Sequence, residues 1–330
     1  MQAVVFNQFG EPADVLQFES RDQPTPASGQ VRVRMLASPV NPSDLMMIRG
    51  IYGIRPELPA TPGFEGVGIV EESGGGLLGK FLVGKRVAVL NNSTGNWQAQ
   101  TVIPAKQAIP LGKELSVEQA AMFFVNPATA YVMTRQVLCV PRGEWLLQTA
   151  AGSALGKMVI RLGRQFGFRT LNVVRRQEQI DELKSLGGDA VVAAGPDELP
   201  AAVAELTGGR GVRFAIDPVG GPLGSAVVKS LAPGGRMLLF GTLSNEPLSF
   251  SPRDLMTPGA EIRGFWLSNY MNSLKLIGKL KLVKTVAKLI RDGVLTAEVG
   301  QTFPLETVTE AVQTAEQPER AGKVLLSIGE

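Results

Sequence analysis

The spacing of apolar and polar positions changes character along the chain. Up to residue 118, short stretches alternate with period two, as in Val31-Arg32-Val33-Arg34-Met35-Leu36, Gly66-Val67-Gly68-Ile69-Val70 and Arg86-Val87-Ala88-Val89-Leu90. Alternation of that kind turns one face of each strand inward, so residues 1–118 are expected to form a mostly β domain. Clusters such as Pro24-Thr25-Pro26-Ala27-Ser28-Gly29 and Ser73-Gly74-Gly75-Gly76 supply its turns. From 119 to 269 apolar runs alternate with helical periodicity, and strands are expected at 145–149, 170–175, 189–193, 213–217, 236–240 and 261–266. Strand, helix, strand in repetition predicts an α/β, doubly wound parallel sheet with right-handed crossovers. A helical pattern at 274–292 and strands near 298–303 and 323–328 follow. This tail, 270–330, is expected to rejoin the first domain and make it discontinuous.

Where the first strand of the parallel sheet ends, the chain reads Gln148-Thr149-Ala150-Ala151-Gly152-Ser153-Ala154-Leu155-Gly156 and enters the helical pattern Met158, Val159, Leu162, Phe166. Backbone N–H groups at such a helix start can face an anion, and small residues let a pyrophosphate approach. Gly152, Ser153, Ala154, Leu155 and Gly156 are therefore candidate dinucleotide contacts. The strict G-x-G-x-x-G pattern is not met, since Ala154 stands where its middle glycine is expected, and a plain tight turn would leave the same trace. After the second strand come Arg175 and Arg176, where an acidic residue would meet the ribose hydroxyls of NAD and an arginine the 2′-phosphate of NADP. Their position favours NADPH, although two loop arginines can also be simple solvated charges. Asp217-Pro218-Val219-Gly220-Gly221 and Phe240-Gly241-Thr242-Leu243-Ser244 put small residues at further strand ends, which makes Gly241 and Thr242 additional cofactor candidates or ordinary turns.

Composition narrows the chemistry. The 330 residues suffice for about two domains, each with its own core. There is no histidine and one cysteine, Cys139, so a disulfide within the chain, a Ser-His-Asp or Cys-His mechanism and an ordinary zinc site are all excluded. A net charge of +3 without a clustered basic face gives no case for nucleic acid, and no apolar stretch has the length of a membrane span. Met1-Gln2-Ala3-Val4-Val5-Phe6 reads as a strand with no export or transit pattern, so a cytoplasmic location is expected.

The combination of Asn41-Pro42-Ser43-Asp44, Pro62-Gly63-Phe64-Glu65-Gly66, Asn126-Pro127-Ala128-Thr129-Ala130-Tyr131, the turn at 150–156 and Arg263-Gly264-Phe265-Trp266-Leu267 resembles the medium-chain dehydrogenase/reductase superfamily over essentially the whole chain. Within it, the chain is similar to the zinc-free group of quinone oxidoreductases and 2-enoyl thioester reductases. Arg49-Gly50-Ile51-Tyr52-Gly53, Asn96-Trp97-Gln98 and Gly264-Phe265-Trp266-Leu267 lean toward the second. The zinc enzymes of the superfamily carry Cys and His where this chain has Asn41 and Phe64. The resemblance implies a GroES-like catalytic domain, a Rossmann cofactor domain, substrate entering between them, and a homodimer through the strand near 261–267.

For this branch the resemblance implies that Tyr52 serves the reaction, that Asn41 and Thr129 lie near the nicotinamide, and that Phe265, Trp266 and Leu267 belong to the cofactor site. A neutral phenol with an ordinary pKa of about 10 can donate a hydrogen bond to the charge that develops on a thioester oxygen. Tyr52 could equally be an aromatic packed over a loop, and Trp97 and Trp266 either core residues or walls of an acyl pocket. Lys281, Lys284, Lys288 and Arg291 form a basic stripe suited to acyl carrier protein or coenzyme A phosphates, or simply to water. The expected activity is NADPH-dependent reduction of α,β-unsaturated carbonyl compounds, enoyl thioesters ahead of quinones. A non-catalytic NADPH-binding or structural protein is the remaining alternative.

Overall fold

The computed structural model describes the whole chain except residues 92, 319 and 330. It divides into two compact units, Met1–Val125 with Ala297–Glu330, and Asn126–Thr296.

In the first unit the strand Gln30–Pro39 sits centrally, paired with Glu65–Ser73 on one side and Lys323–Ser327 on the other. Its alternation works as the sequence implies: Val31, Val33 and Met35 are fully buried with Val87, Val89 and Ile103, while Arg32 points outward to Glu72 at 2.6 Å. The neighbours Arg86–Leu90 and Ala108–Pro110 extend the sheet, and Gln100–Pro104 pairs with the lower half of Gln30–Pro39. The last segment, Ala297–Glu330, belongs to this unit, with Leu325 opposite Pro39 and Leu326 opposite Ser38 in antiparallel register. A second core gathers Phe6, Leu45, Ile48, Phe64, Trp97, Val312 and Leu326. It lies between the hairpin Gln2–Phe6 with Leu16–Ser20 and the helices Pro42–Ile48 and Val308–Glu316.

The second unit carries a six-stranded sheet in the spatial order Ala190–Ala193, Arg169–Val174, Trp145–Gln148, Val212–Asp217, Leu231–Leu239, Glu261–Gly264, and every pairing in it is parallel. In sequence terms that order is 3-2-1-4-5-6, the doubly wound arrangement whose direction of winding reverses between the first and fourth strands. The central strand Trp145–Gln148 is buried along its whole length, as a strand covered on both faces must be. Glu261–Gly264 is the edge strand, paired among the described residues with Leu231–Leu239.

The units part at slightly different places from those the pattern suggests. Helix Val117–Ala121 stays with the first unit, where the Gln119 side-chain amide donates to Ala297 O at 2.6 Å. Helix Leu276–Arg291, grouped by periodicity with the tail, lies in the second unit. It buries Leu282, Val286, Leu289 and Ile290, and the segment after it is held by Arg161, which donates to Thr296 O at 2.7 Å. No described helix is long and apolar enough to cross a membrane.

Candidate functional site

In the second unit the turn after Trp145–Gln148 is built for close approach. Ser153 caps the helix Ala154–Phe166, its hydroxyl accepting from Gly156 N at 3.1 Å. The first-turn N–H groups of Ala154 and Leu155 have no acceptor within the helix, which is what an anion site at a helix start requires. A Cβ on Gly156 would stand 2.3 Å from Ala151 O, so helix and strand meet backbone to backbone there. One on Gly152 would stand 2.2 Å from Gln179 Nε2, which shows what lies beside the turn. Ala150 adopts φ +49, a left-handed conformation that a side chain rarely takes and that bends the chain into the turn. Beneath, the buried Gln148 amide donates to Gly156 O at 3.0 Å and to Asn172 Oδ1 at 2.7 Å, tying helix start to two strands.

Arg175 and Arg176 follow directly on the strand Arg169–Val174, with Arg175 exposed and Arg176 half-buried. They lead into helix Gln179–Ser185, whose first side chain borders Gly152, so the structure brings the arginine segment and the glycine turn to one end of the sheet. The other strand ends gather there too. Asp217 is fully buried; its carboxylate accepts from Val219 N at 2.9 Å, Gly220 N at 2.8 Å and the Thr149 hydroxyl. Burial pushes the Asp217 pKa up, and the hydroxyl and amide donors pull against that. The Gly241–Thr242 loop is fixed to this one, Leu243 N donating to Pro218 O at 3.0 Å and Ser244 N to Val219 O at 2.8 Å. Phe265 N donates to Leu239 O at 2.7 Å, and Trp266 caps the short helix Leu267–Ser273. Thr129 lies buried on helix Val125–Tyr131 of the same unit.

The first unit holds the other candidates. Asn41 caps helix Pro42–Ile48 and closes a capping box with Asp44, whose Oδ2 accepts Asn41 N at 2.8 Å while Oδ1 accepts Phe64 N at 2.9 Å. The Asn41 side chain is spanned by opposite partners: Lys323 Nζ donates to its Oδ1 at 2.6 Å, and its Nδ2 donates to Glu65 Oε1 at 3.1 Å. Glu65 Oε2 then accepts Val125 N at 2.9 Å and Phe124 N at 3.3 Å. All four side chains are at most 4% exposed. Burial raises Asp44 to about 7 and pushes Glu65 upward, and it lowers Lys323 to about 8. Asn41 is thus enclosed between Lys323 and Glu65.

Helix Pro42–Ile48 ends in Arg49, which donates to Glu11 Oε2 and Glu316 Oε1, both at 2.7 Å. Gly50, at φ +74 with Phe9 under it, turns the chain outward and delivers Tyr52 half-buried, its ring 5.3 Å from that of Phe64. Trp97 is different. It is fully buried in the second core, with Gly63 packed so closely that a Cβ there would lie 2.5 Å from its ring. Of the two readings of Trp97, the structure gives the core residue and leaves no surface to line a pocket. Trp266 is half-buried.

Sequence reasoning missed three residues. Gln179 carried no motif, Asp217 was visible only as part of a turn, and nothing near Lys323 announces a residue buried 282 positions from Asn41. Among the described residues no three of His, Cys, Asp and Glu gather as a metal site would need.

A 3-2-1-4-5-6 parallel sheet with a capped small-residue turn at its switch point defines the nucleotide-binding α/β class, here joined to a mostly β unit. Residues 27–113 match the family model of the alcohol dehydrogenase GroES-like domain and residues 154–281 that of the zinc-binding dehydrogenases. The chain is 32% identical over 332 aligned positions to the mitochondrial enoyl-[acyl-carrier-protein] reductase of Rattus norvegicus, covering 99% of this chain and 89% of that one. A Bacillus thuringiensis protein assigned provisionally as an NADPH:quinone reductase superposes with a TM-score of 0.91 at 33% identity, over 99% of this chain and 98% of that one. The structure of Etr1p with NADP and crotonyl-CoA superposes with a TM-score of 0.84 at 26% identity, over 99% of both chains. The chain belongs to the zinc-independent branch of the medium-chain dehydrogenase/reductase family.

Proposed function

We propose that this protein is an NADPH-dependent reductase of 2-enoyl thioesters. The observation that carries the reading is the loop that presents Tyr52. A capped helix, an Arg49 clamp and a left-handed Gly50 hold a half-buried phenol against Phe64, in a chain 32% identical to an enoyl-[acyl-carrier-protein] reductase over nearly its full length.

The residues fit the cofactor. The Ala154 and Leu155 amides with Ser153 and Gly152 would bind the pyrophosphate, and Gly156 lets the helix start pack against the strand end at Ala151. Arg175 and Arg176 would pair with the 2′-phosphate, Gly241, Thr242 and Phe265 to Leu267 would border the dinucleotide, and Thr129 the nicotinamide. When bound, NADPH supplies a hydride to Cβ of the enoyl group. Tyr52 donates a hydrogen bond to the thioester oxygen, where negative charge builds, and Tyr52 or water returns a proton to Cα. Trp266 would flank the acyl chain. Acyl carrier protein is the proposed carrier, met by the exposed lysines of helix Leu276–Arg291, and a homodimer through the edge strand Glu261–Gly264 completes the proposal. A cytoplasmic site of action belongs to it as well.

Quinone reduction is the second reading, favoured by the 33% identity to the Bacillus thuringiensis protein. It needs the same cofactor site and no particular proton donor. The test is NADPH oxidation with a crotonyl thioester and with a quinone, by wild type and Tyr52→Phe. The proposal expects kcat on the thioester to fall by about 10²–10⁴ with NADPH affinity unchanged. Full thioester activity in the variant overturns the role of Tyr52. Turnover of quinone alone selects the second reading, and NADPH binding without any turnover selects a non-catalytic protein.

A further inference from the structure

Two carboxylates, Asp44 and Glu65, are buried at 0% and 3% exposure beside a single enclosed amide. Burial disfavours their charged forms and pushes both pKa values up, and a nearby positive charge works against that. That charge is the ammonium of Lys323, itself 4% exposed and reached only through the returning tail strand Lys323–Ser327. It donates to Val40 O at 3.1 Å and Asn41 Oδ1 at 2.6 Å. Those bonds fix which end of the Asn41 amide faces Glu65, because an ammonium can only donate and a carboxylate can only accept. Glu65 passes the constraint on to Phe124 N and Val125 N, where the chain enters the helix that bears Thr129. Asp44 passes it to Phe64 N, under the Tyr52 ring.

We propose that Lys323 is a positioning residue of the reductase: an internal cation that sets the Asn41 amide and, through Glu65 and Asp44, the backbone that carries Tyr52 and the Phe124–Val125 segment of the same unit. The inference rests on the enoyl reductase reading for its kinetic consequence, but the positioning itself is independent of turnover. Among the described residues, Glu65 and Asp44 favour the charge of the ammonium by their fields, and Arg320 opposes it. Burial nonetheless draws its pKa down to about 8, so the cation is lost within a range a rate profile can reach.

The variants are Lys323→Met, Lys323→Arg and the charge-balanced double change Lys323→Met with Glu65→Gln, which keeps the fold accessible if the single Met variant does not fold. Hydrogen exchange is measured at the amides of Asn41, Phe64, Phe124 and Val125. The proposal expects faster exchange there in the Met variant or the double variant, and protection near wild type in the Arg variant. Unchanged exchange at those amides in every folded variant overturns it. In NADPH oxidation with a crotonyl thioester, the Met or double variant should lose about tenfold to a hundredfold in kcat with little change in the KM for NADPH. The alkaline fall in kcat near pH 8 should move upward in the Arg variant, a response that a merely structural lysine would not give. An alkaline limb identical in wild type and the Arg variant overturns the kinetic role. If wild type turns over no enoyl thioester, the functional reading fails, and the exchange result still decides the positioning.

Discussion

Gly156 shows how much a single atom decides at the turn. An added Cβ would lie 2.3 Å from Ala151 O and 2.7 Å from Ala151 Cα, both backbone atoms that no rotamer change can move. Gly156→Ala should therefore lower stability by about 1–3 kcal/mol through forced separation of helix and strand, seen as a lower melting temperature. It should also weaken NADPH binding, because the amides of Ala154 and Leu155 shift with the helix. Wild-type melting and affinity in that variant would show that the turn can open without cost. At Trp97 the residue scale gives the opposite lesson: an aromatic flagged for a pocket is a core residue, held by Gly63 and by the bond from Val4 N to Trp97 O at 2.9 Å. Its partners are distant in sequence, and no local pattern distinguishes the two roles.

At the scale of elements, the strand Arg169–Val174 ends where a cofactor's ribose would lie, and the two residues after it are both arginine. A guanidinium meets a 2′-phosphate with two parallel charge-assisted bonds and gains nothing comparable from a bare hydroxyl. The double change Arg175→Ala with Arg176→Ala is expected to weaken NADPH binding about tenfold to a hundredfold, each lost bond to a charged group being worth roughly 1.5–3 kcal/mol before solvent screening. NADH binding should be nearly unaffected. Fluorescence titration with both cofactors tests this, and equal loss for the two would remove the arginines from the 2′-phosphate. The elements themselves were largely legible. Strands expected at 145–149, 213–217 and 261–266 appear as Trp145–Gln148, Val212–Asp217 and Glu261–Gly264, because buried parallel strands leave continuous apolar runs. Helix Leu276–Arg291 was legible as a helix and not by its place, since its apolar face records that it is buried and not against what.

At the scale of the whole molecule, the buried carboxylates set a pH dependence. Folding lifts the Asp44 pKa from 3.8 to about 7, chiefly by burial. Between those values the folded protein holds a proton that the unfolded chain has released, so this group's contribution to stability is full below pH 3.8 and is lost as the pH rises toward 7. Glu65 shifts in the same direction. Lys323, lowered from 10.5 to about 8, acts the other way, its unfavourable contribution fading as pH rises through that interval. In thermal melts, wild type should lose stability relative to Asp44→Asn between pH 5 and 7, since the amide cannot titrate over the range in which Asp44 does. A gap that is flat or widens in favour of wild type would show that Asp44 is ionised throughout.

The sequence by itself determined the class of each unit, the turn at Gly152 to Gly156, the arginines after the second strand and the absence of histidine chemistry. Each of these is written in neighbouring residues, where periodicity, small size or charge acts locally. The tertiary structure alone decided that Trp97 is core, that Gln179 borders the glycine turn, and that Asn41 is enclosed between Lys323 and Glu65. Those facts depend on which distant segments meet. Burial then changes what a side chain does: a lysine that would be a solvated charge in the unfolded chain becomes an enclosed donor to Val40 O and Asn41 Oδ1.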